Sequence, residues 1–180
     1  EFYGTIRPKR VIHSGERPLH ALRERGVEYV EVRLMDLDPF EPVGIRDSTM
    51  RLLDAFLLHC TLSDSPPDTP EEIAALARNQ HLTAAHGREP GLTLDRNGEA
   101  VNLVDWALAI VADCLPIARA LDAALATGNQ HVEAVEAART ALLKPETLPS
   151  ARVLQAMADH HENSFVRFVR ERSVQTKDAL

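Results

Sequence analysis

The pattern of hydrophobic and polar positions changes once along this chain, near residue 47. Before that point, polar and apolar residues alternate with a period of two through Val27–Asp36, which is typical of a half-buried β-strand. From Asp47 onward, apolar residues recur three or four positions apart, as they do on one face of a helix. We therefore predict an α+β fold that is mostly helical, with residues 1–46 carrying the strand and residues 47–180 forming a helical region.

Capping residues at the ends of the periodic segments set the expected helix bounds. Thr69 before a proline and two glutamates is typical of a helix start, and Gly26 is typical of a stop. Asn97-Gly98 indicates a tight turn, and Pro116 predicts a kink or break in the helix that contains it. The predicted helices cover residues 18–25, 47–62, 70–85, 101–125, 130–143, 150–160 and 163–173.

The two faces of the predicted strand differ in chemistry. Val30, Val32 and Leu34 share one face, which we expect to be sealed against a core, whereas Glu31 and Arg33 share the other. Alternate residues of a strand lie roughly 6–7 Å apart, so we expect this carboxylate and guanidinium to act on one ligand without pairing directly. A carboxylate is a hard ligand for Mg²⁺ and a guanidinium matches two phosphate oxygens, which together favour nucleotide chemistry.

Each polar feature also has a purely structural interpretation. Glu31 and Arg33 suit an ion-pair network at a sheet edge, in which each bonds to a charge on a neighbouring strand. The basic segment Ile6–Arg10 fits either a solvated surface patch or a phosphate-facing loop. Pattern alone leaves both pairs of alternatives open.

Composition narrows the class of protein. The 180 residues are 44% hydrophobic, enough for an ordinary domain with a core, and their net charge of −7 gives no overall footprint for nucleic acid or an anionic membrane. Two distant cysteines do not resemble a disulfide framework, and neither a membrane span nor a signal peptide is visible, so we expect a cytoplasmic protein. The chain begins with Glu1 rather than Met, from which we expect a piece of a longer protein.

Five motifs in the first 40 residues occur in an order that is not generic. They are Glu1-Phe2-Tyr3, Ile6-Arg7-Pro8-Lys9-Arg10, Ser14-Gly15-Glu16, Gly26-Val27-Glu28-Tyr29-Val30-Glu31-Val32-Arg33 and Asp38-Pro39-Phe40. In this order they closely resemble the C-terminal part of the proteobacterial glutamate–cysteine ligases, also called γ-glutamylcysteine synthetases. The resemblance is dense over residues 1–60, resumes at residues 88–94 and is loose over the later helices.

The resemblance implies a glutamine-synthetase-like fold, whose antiparallel sheet forms an active-site funnel, and an ATP-dependent ligase. In that family ATP phosphorylates the γ-carboxylate of L-glutamate, and the amine of L-cysteine then displaces phosphate from the acyl phosphate. This is the first step of glutathione biosynthesis. Magnesium ions neutralise the charge that develops during the transfer.

The resemblance also implies roles for individual residues. Glu31 matches a magnesium ligand, and Arg33 matches a catalytic arginine near the nucleotide's transferring phosphoryl group. Tyr3 matches a residue of the cysteine pocket, and Arg7 and Lys9 match the nucleotide side. Other magnesium-binding glutamates of the family lie upstream of the segment that matches Glu1, so we expect the chain alone to be inactive.

A different class remains open. The acidic helices of residues 101–180 are compatible with a non-enzymatic interaction domain, in which the early strand is only structural. Residues upstream of Glu1 would discriminate the two classes, because further glutamates on strands there would support the ligase.

Overall fold

The computed structural model describes residues 4–33, 35–65 and 67–179. Its strands are β1 (Ile6–Lys9), β2 (Tyr29–Val32), β3 (Thr93–Arg96) and β4 (Glu99–Asn102). Its helices are α1 (Pro18–Arg25), α2 (Asp47–Leu62), α3 (Pro70–His86), α4 (Leu103–Leu125), α5 (Gln130–Leu143), α6 (Pro149–His160) and α7 (Phe165–Ala179), with a 3-10 turn at Pro145–Thr147. The predicted fold class, α+β and mostly helical with antiparallel strands, is confirmed.

The chain divides into two compact units, Glu1–Leu37 and Asp38–Leu180. The segment that opens the second unit is fastened within it, since Arg46 Nε lies 2.9 Å from Asp38 Oδ2 and Arg172 Nε donates to the Pro39 carbonyl over 2.9 Å. Phe40 packs against Phe168, with ring centroids 6.0 Å apart. The functional division into residues 1–46 and 47–180 is a separate matter and stays a prediction.

The first unit consists of an antiparallel strand pair and one helix. β1 and β2 pair in a register that places Arg7 opposite Glu31. Helix α1 has the predicted bounds, and Gly26 follows it with a φ of 72°, a conformation that favours glycine. Arg25 on this helix donates from both terminal nitrogens to the carboxylate of Glu16, and this bidentate bond, with a further one from the His13 amide, lowers the pKa of Glu16 to about 2.

Strand β2 is shorter than predicted. It covers four residues of the predicted ten, and Leu34 lies outside the described residues. β1 is the strand that pairs with it and is itself four residues long, so the regular strand pairing covers only four residues on each side. An alternating pattern identifies which residues can form a strand, but a partner strand decides how many of them do.

The core of the second unit lies where α2, α4 and α5 meet. Ala55, Cys114, Ala118 and Val135 form its buried centre, and larger side chains such as Phe56 pack around them. The small alanines allow the helices to approach closely. Cys114, which is 1% exposed, behaves as a small buried hydrophobe.

The hairpin of β3 and β4 turns on Asn97-Gly98, both of which have positive φ angles, 56° and 83°. It is fixed to α3 because Asn79 accepts from the Asp95 amide over 2.9 Å and donates to the Asp95 carbonyl over 2.7 Å. Helix α4 therefore begins at Leu103, after β4, and not at residue 101 as predicted. The helix continues through Pro116, so of the predicted kink or break at this residue the break does not occur.

Thr69 caps α3 as predicted, since its side-chain oxygen accepts from the Glu72 amide over 3.1 Å. We expect Thr69→Ala to lower the free energy of unfolding by about 1 kcal/mol, because one amide of the first turn loses its acceptor. Urea denaturation would measure the change. Thr61→Ala is the control, because Thr61 sits in the last turn of α2 and its hydroxyl donates to the Leu57 carbonyl instead of capping a helix start. An equal loss in the two variants would contradict the capping role.

Candidate active site

The predicted site residues converge on one face of the β1–β2 pair. Residues directly opposite each other in an antiparallel pair point to the same face, so Arg7 opposite Glu31 and Lys9 opposite Tyr29 put four polar side chains together. Arg33 follows β2, and its amide donates to the Thr5 carbonyl over 2.7 Å, which continues the ladder and keeps its side chain on that face. Tyr3, predicted in the cysteine pocket, lies outside the described residues.

Glu31 is held between two cations. Arg33 Nε donates to Glu31 Oε1 over 2.7 Å, and Lys9 Nζ lies 3.2 Å from Glu31 Oε2. The expectation that Glu31 and Arg33 would not pair directly is therefore wrong. The 6–7 Å between alternate backbone positions constrains only the backbone, and the long arginine side chain folds back to span it.

These contacts keep Glu31 ionised. The hydrogen bond from Arg33 and then that from Lys9 lower the pKa of the Glu31 carboxyl, and they outweigh the opposing effect of partial burial. Glu31 and Lys9 are half-buried and Arg33 is exposed, so water screens both ion pairs and each pair stabilises the chain only weakly. The face therefore presents one permanent negative charge flanked by donors suited to phosphate.

The opposite face of the sheet differs from expectation. Val30 and Ile6, which lie there, are 40% and 43% exposed, so no core within the described residues of the first unit seals this apolar face. The period-two pattern correctly predicted that the two faces differ in polarity. The pattern contains no information on whether another helix or strand covers the apolar face.

The fit of a magnesium ion to these residues is partial. Glu31 has the hard, ionised oxygens that the ion prefers, but both oxygens already contact a cation. Across the part of the chain that the structure describes, no cluster of three or more His, Cys, Asp or Glu side chains suits a metal. Glu31 can therefore supply one ligand of a magnesium site, but the described residues do not form a complete site.

The sequence did not reveal a buried carboxylate network between α4 and α5. Asp122, which is 5% exposed, accepts from the His131 and Val132 amides, from the Thr127 hydroxyl over 2.7 Å and from His131 Nδ1 over 2.7 Å. Burial by itself would raise the pKa of Asp122, but the four hydrogen bonds outweigh it and hold that pKa well below its usual range. No distinctive signal in the sequence marked this network, because Asp122 is one of three aspartates in α4, with Asp105 and Asp113.

Among the helices of the described residues, none combines the length and the apolar character that crossing a bilayer requires.

Comparison with known proteins shows which proteins this chain is similar to. Residues 1–83 match the family model described as glutamate–cysteine ligase. A glutamate–cysteine ligase of Janthinobacterium sp. (strain Marseille) is 48% identical over 174 residues, covering 97% of this chain and 33% of that protein. The ligase of Pseudomonas putida KT2440 is 45% identical over 168 residues, 93% of this chain and 32% of that protein.

Solved structures agree. The crystal structure of the Francisella tularensis glutamate–cysteine ligase in complex with AMP superposes with a TM-score of 0.81 at 32% identity, over 97% of this chain and 34% of that one. A bifunctional glutathione synthetase from Pasteurella multocida shares the fold, with a TM-score of 0.71 at 19% identity. The chain spans about one third of the length of the relatives that it matches. The resemblance in the sequence is thus confirmed: nearly the whole chain is homologous to a segment that makes up about one third of the length of glutamate–cysteine ligases.

Proposed function

We propose that this chain is part of a cytoplasmic glutamate–cysteine ligase, which uses ATP to join the γ-carboxylate of L-glutamate to the amine of L-cysteine. The observation that carries the proposal is the sheet face on which Arg7, Lys9, Glu31 and Arg33 meet, in a chain whose relatives are such ligases. The AMP bound by the Francisella tularensis protein supports a nucleotide site. The comparisons favour the ligase over a non-enzymatic interaction domain.

The reaction consists of a phosphoryl transfer and an acyl transfer, and the charged groups of this face suit both. The γ-phosphoryl group of ATP passes to the glutamate γ-carboxylate, and ADP leaves. The cysteine amine then attacks the acyl carbon, so that a C–N bond forms, the C–O bond to phosphate breaks, and the nitrogen releases its proton to water. Arg33 directs donors at the transferring group, while Arg7 and Lys9 neutralise the nucleotide phosphates. A role for Tyr3 in the cysteine pocket rests on the family resemblance alone, because Tyr3 lies outside the described residues. When bound, magnesium supplies further neutralisation of the phosphates during transfer.

Glu31 contributes one magnesium ligand in this proposal, and the other ligands come from protein outside the chain. To take this role Glu31 releases Lys9, whose single point charge then serves the phosphates. Because water reaches both side chains of the Lys9–Glu31 pair, breaking the pair costs little. The ion pairs seen in the structure are therefore compatible with both the resting arrangement and the proposed site.

Glu31→Gln in the complete ligase tests the proposal. The amide keeps the shape and one oxygen but loses the charge, so we expect a large fall in activity that raised Mg²⁺ partly restores by mass action. Glu24→Gln, which neutralises an exposed carboxylate of helix α1, is the matched control and should leave the magnesium dependence unchanged. Unchanged magnesium dependence in Glu31→Gln would remove Glu31 from the metal site.

A binding experiment on the 180-residue chain provides a second readout. With a single carboxylate available, we expect Mg²⁺–ATP to bind with a dissociation constant on the order of millimolar or weaker. Isothermal titration calorimetry measures this directly. Micromolar binding that Glu31→Gln abolishes would show that the chain holds a complete site, contrary to the proposal.

A further inference from the structure

The second unit contains a cleft that the proposed reaction does not use. Its volume is about 840 Å³, within the roughly 300–1,000 Å³ typical of small-molecule sites. One wall is helix α6, and the remaining walls come from Phe40, Arg88 and the turn at Pro145–Thr147. All of these belong to the unit that begins at Asp38.

Arg152 is the organising side chain of the cleft. Its guanidinium carbon lies 3.9 Å from the centroid of the Phe40 ring, so the planar group is stacked on the aromatic face. The Phe40 ring is itself held by Phe168 and by Arg172, whose guanidinium carbon is 5.3 Å from its centroid. Stacking fixes the plane of Arg152 and leaves the donors at its edge directed away from the ring.

The charges that line this cleft do not neutralise one another. Within the described residues, Arg88, Arg152 and Glu146 form no ion pair, and Asp159 accepts only an amide hydrogen bond from Gln155, over 2.8 Å. Both signs of charge are therefore presented to the same cavity without a protein partner. Half-buried donors such as those of Arg152 are the strongest of these features, because water solvates them less completely than it does a fully exposed side chain.

We infer that this cleft binds a small zwitterion of the size of a di- or tripeptide. Its carboxylate meets the guanidinium groups of Arg152 and Arg88, and its ammonium group meets Glu146 and Asp159. A ligand with one sign of charge would satisfy one set of groups and leave the opposite set facing it. The binding requires neither ATP nor the sheet face, so it stands independently of the proposed ligase reaction.

Triglycine and two blocked analogues test the inference by calorimetry on the 180-residue chain. N-acetyltriglycine lacks the ammonium group and triglycinamide lacks the carboxylate, so we expect each to bind about tenfold more weakly than triglycine. Equal affinity for all three peptides would overturn the inference. So would the absence of triglycine binding at a peptide concentration of about 10 mM.

Variants identify the groups responsible. Arg152→Gln should weaken triglycine about tenfold and leave triglycinamide unaffected, because that analogue has already lost the carboxylate. Glu146→Gln should show the reverse pattern, weakening triglycine while leaving N-acetyltriglycine unaffected, and its exposed position keeps the fold intact if Arg152→Gln does not fold. Arg170→Gln, an exposed arginine of α7 outside the cleft, is the control and should change nothing. Triglycine affinity unaltered by Glu146→Gln would contradict the assigned orientation and overturn the zwitterion site.

Discussion

Replacing Arg33 with lysine in the complete ligase is expected to lower turnover on the order of 10²-fold or more, by analogy with other lost donors to developing charge. Arg33 Nε is engaged by Glu31, and within the described residues its two terminal nitrogens form no hydrogen bond. The open end of the guanidinium fork is therefore available to two phosphoryl oxygens. Lysine keeps the charge but has neither the planar fork nor a second donor in fixed geometry.

Steady-state kinetics on the purified variant measure this effect, and a urea midpoint close to that of the wild type would show that folding is unchanged. Arg23→Lys, at an exposed position of α1, is the matched control and should retain normal turnover. Turnover near the wild-type value in Arg33→Lys would restrict Arg33 to the structural ion pair with Glu31.

Removing the Asp122 carboxylate should have the largest effect on stability. Asp122→Ala leaves two backbone amides, a hydroxyl and the His131 ring without their acceptor in a buried position. We expect the melting temperature to fall on the order of 5–10 °C. Asp113→Ala removes an exposed carboxylate from the same helix and serves as the control, with a shift of less than about 2 °C.

Comparing the wild type with Asp122→Ala at different pH values tests the charge of Asp122, because the direction of the expected change is known. The pKa of Asp122 is lowered in the folded state from an ordinary value of 3.8, so its stabilisation is complete above that value and is lost as the pH falls towards the folded pKa. The gap in melting temperature between wild type and Asp122→Ala should therefore be constant near neutrality and narrow progressively below about pH 4. A gap that widened on acidification would contradict an ionised Asp122.

Helix bounds were largely predictable because their signals are local. The Thr69 cap, the Gly26 stop and the start of α2 at Asp47 each depend on a few adjacent residues, and the structure places them as expected. The last helix runs to Ala179, beyond the predicted end at residue 173, because that segment contains no strong stop signal. The Asn97-Gly98 turn was recognised, but strand β4, which follows it, was not, since the predicted helix began within that strand.

The site was predictable only in part. Strand parity correctly put Glu31 and Arg33 on one face, because parity follows from the backbone alone. The direct Glu31–Arg33 pair depends on side-chain torsions, which the sequence pattern does not encode. The Asp122–His131 pair depends on how two helices meet across a loop, which the pattern does not encode either. The roles of Arg7, Lys9, Glu31 and Arg33 in catalysis stay predictions for the experiments above.

The proline of β1 has a consequence for how the first unit's sheet can grow. Because the Arg33 amide bonds to Thr5, alternation along the ladder turns the backbone groups of Pro8 and Val30 outward, away from each other's strand. At its outward position, Pro8 has no N–H to offer a further strand, whereas Val30 on the other edge has both a donor and an acceptor. An incoming strand is therefore disfavoured along β1 and favoured along β2, so the proline gives this two-stranded sheet a direction of extension.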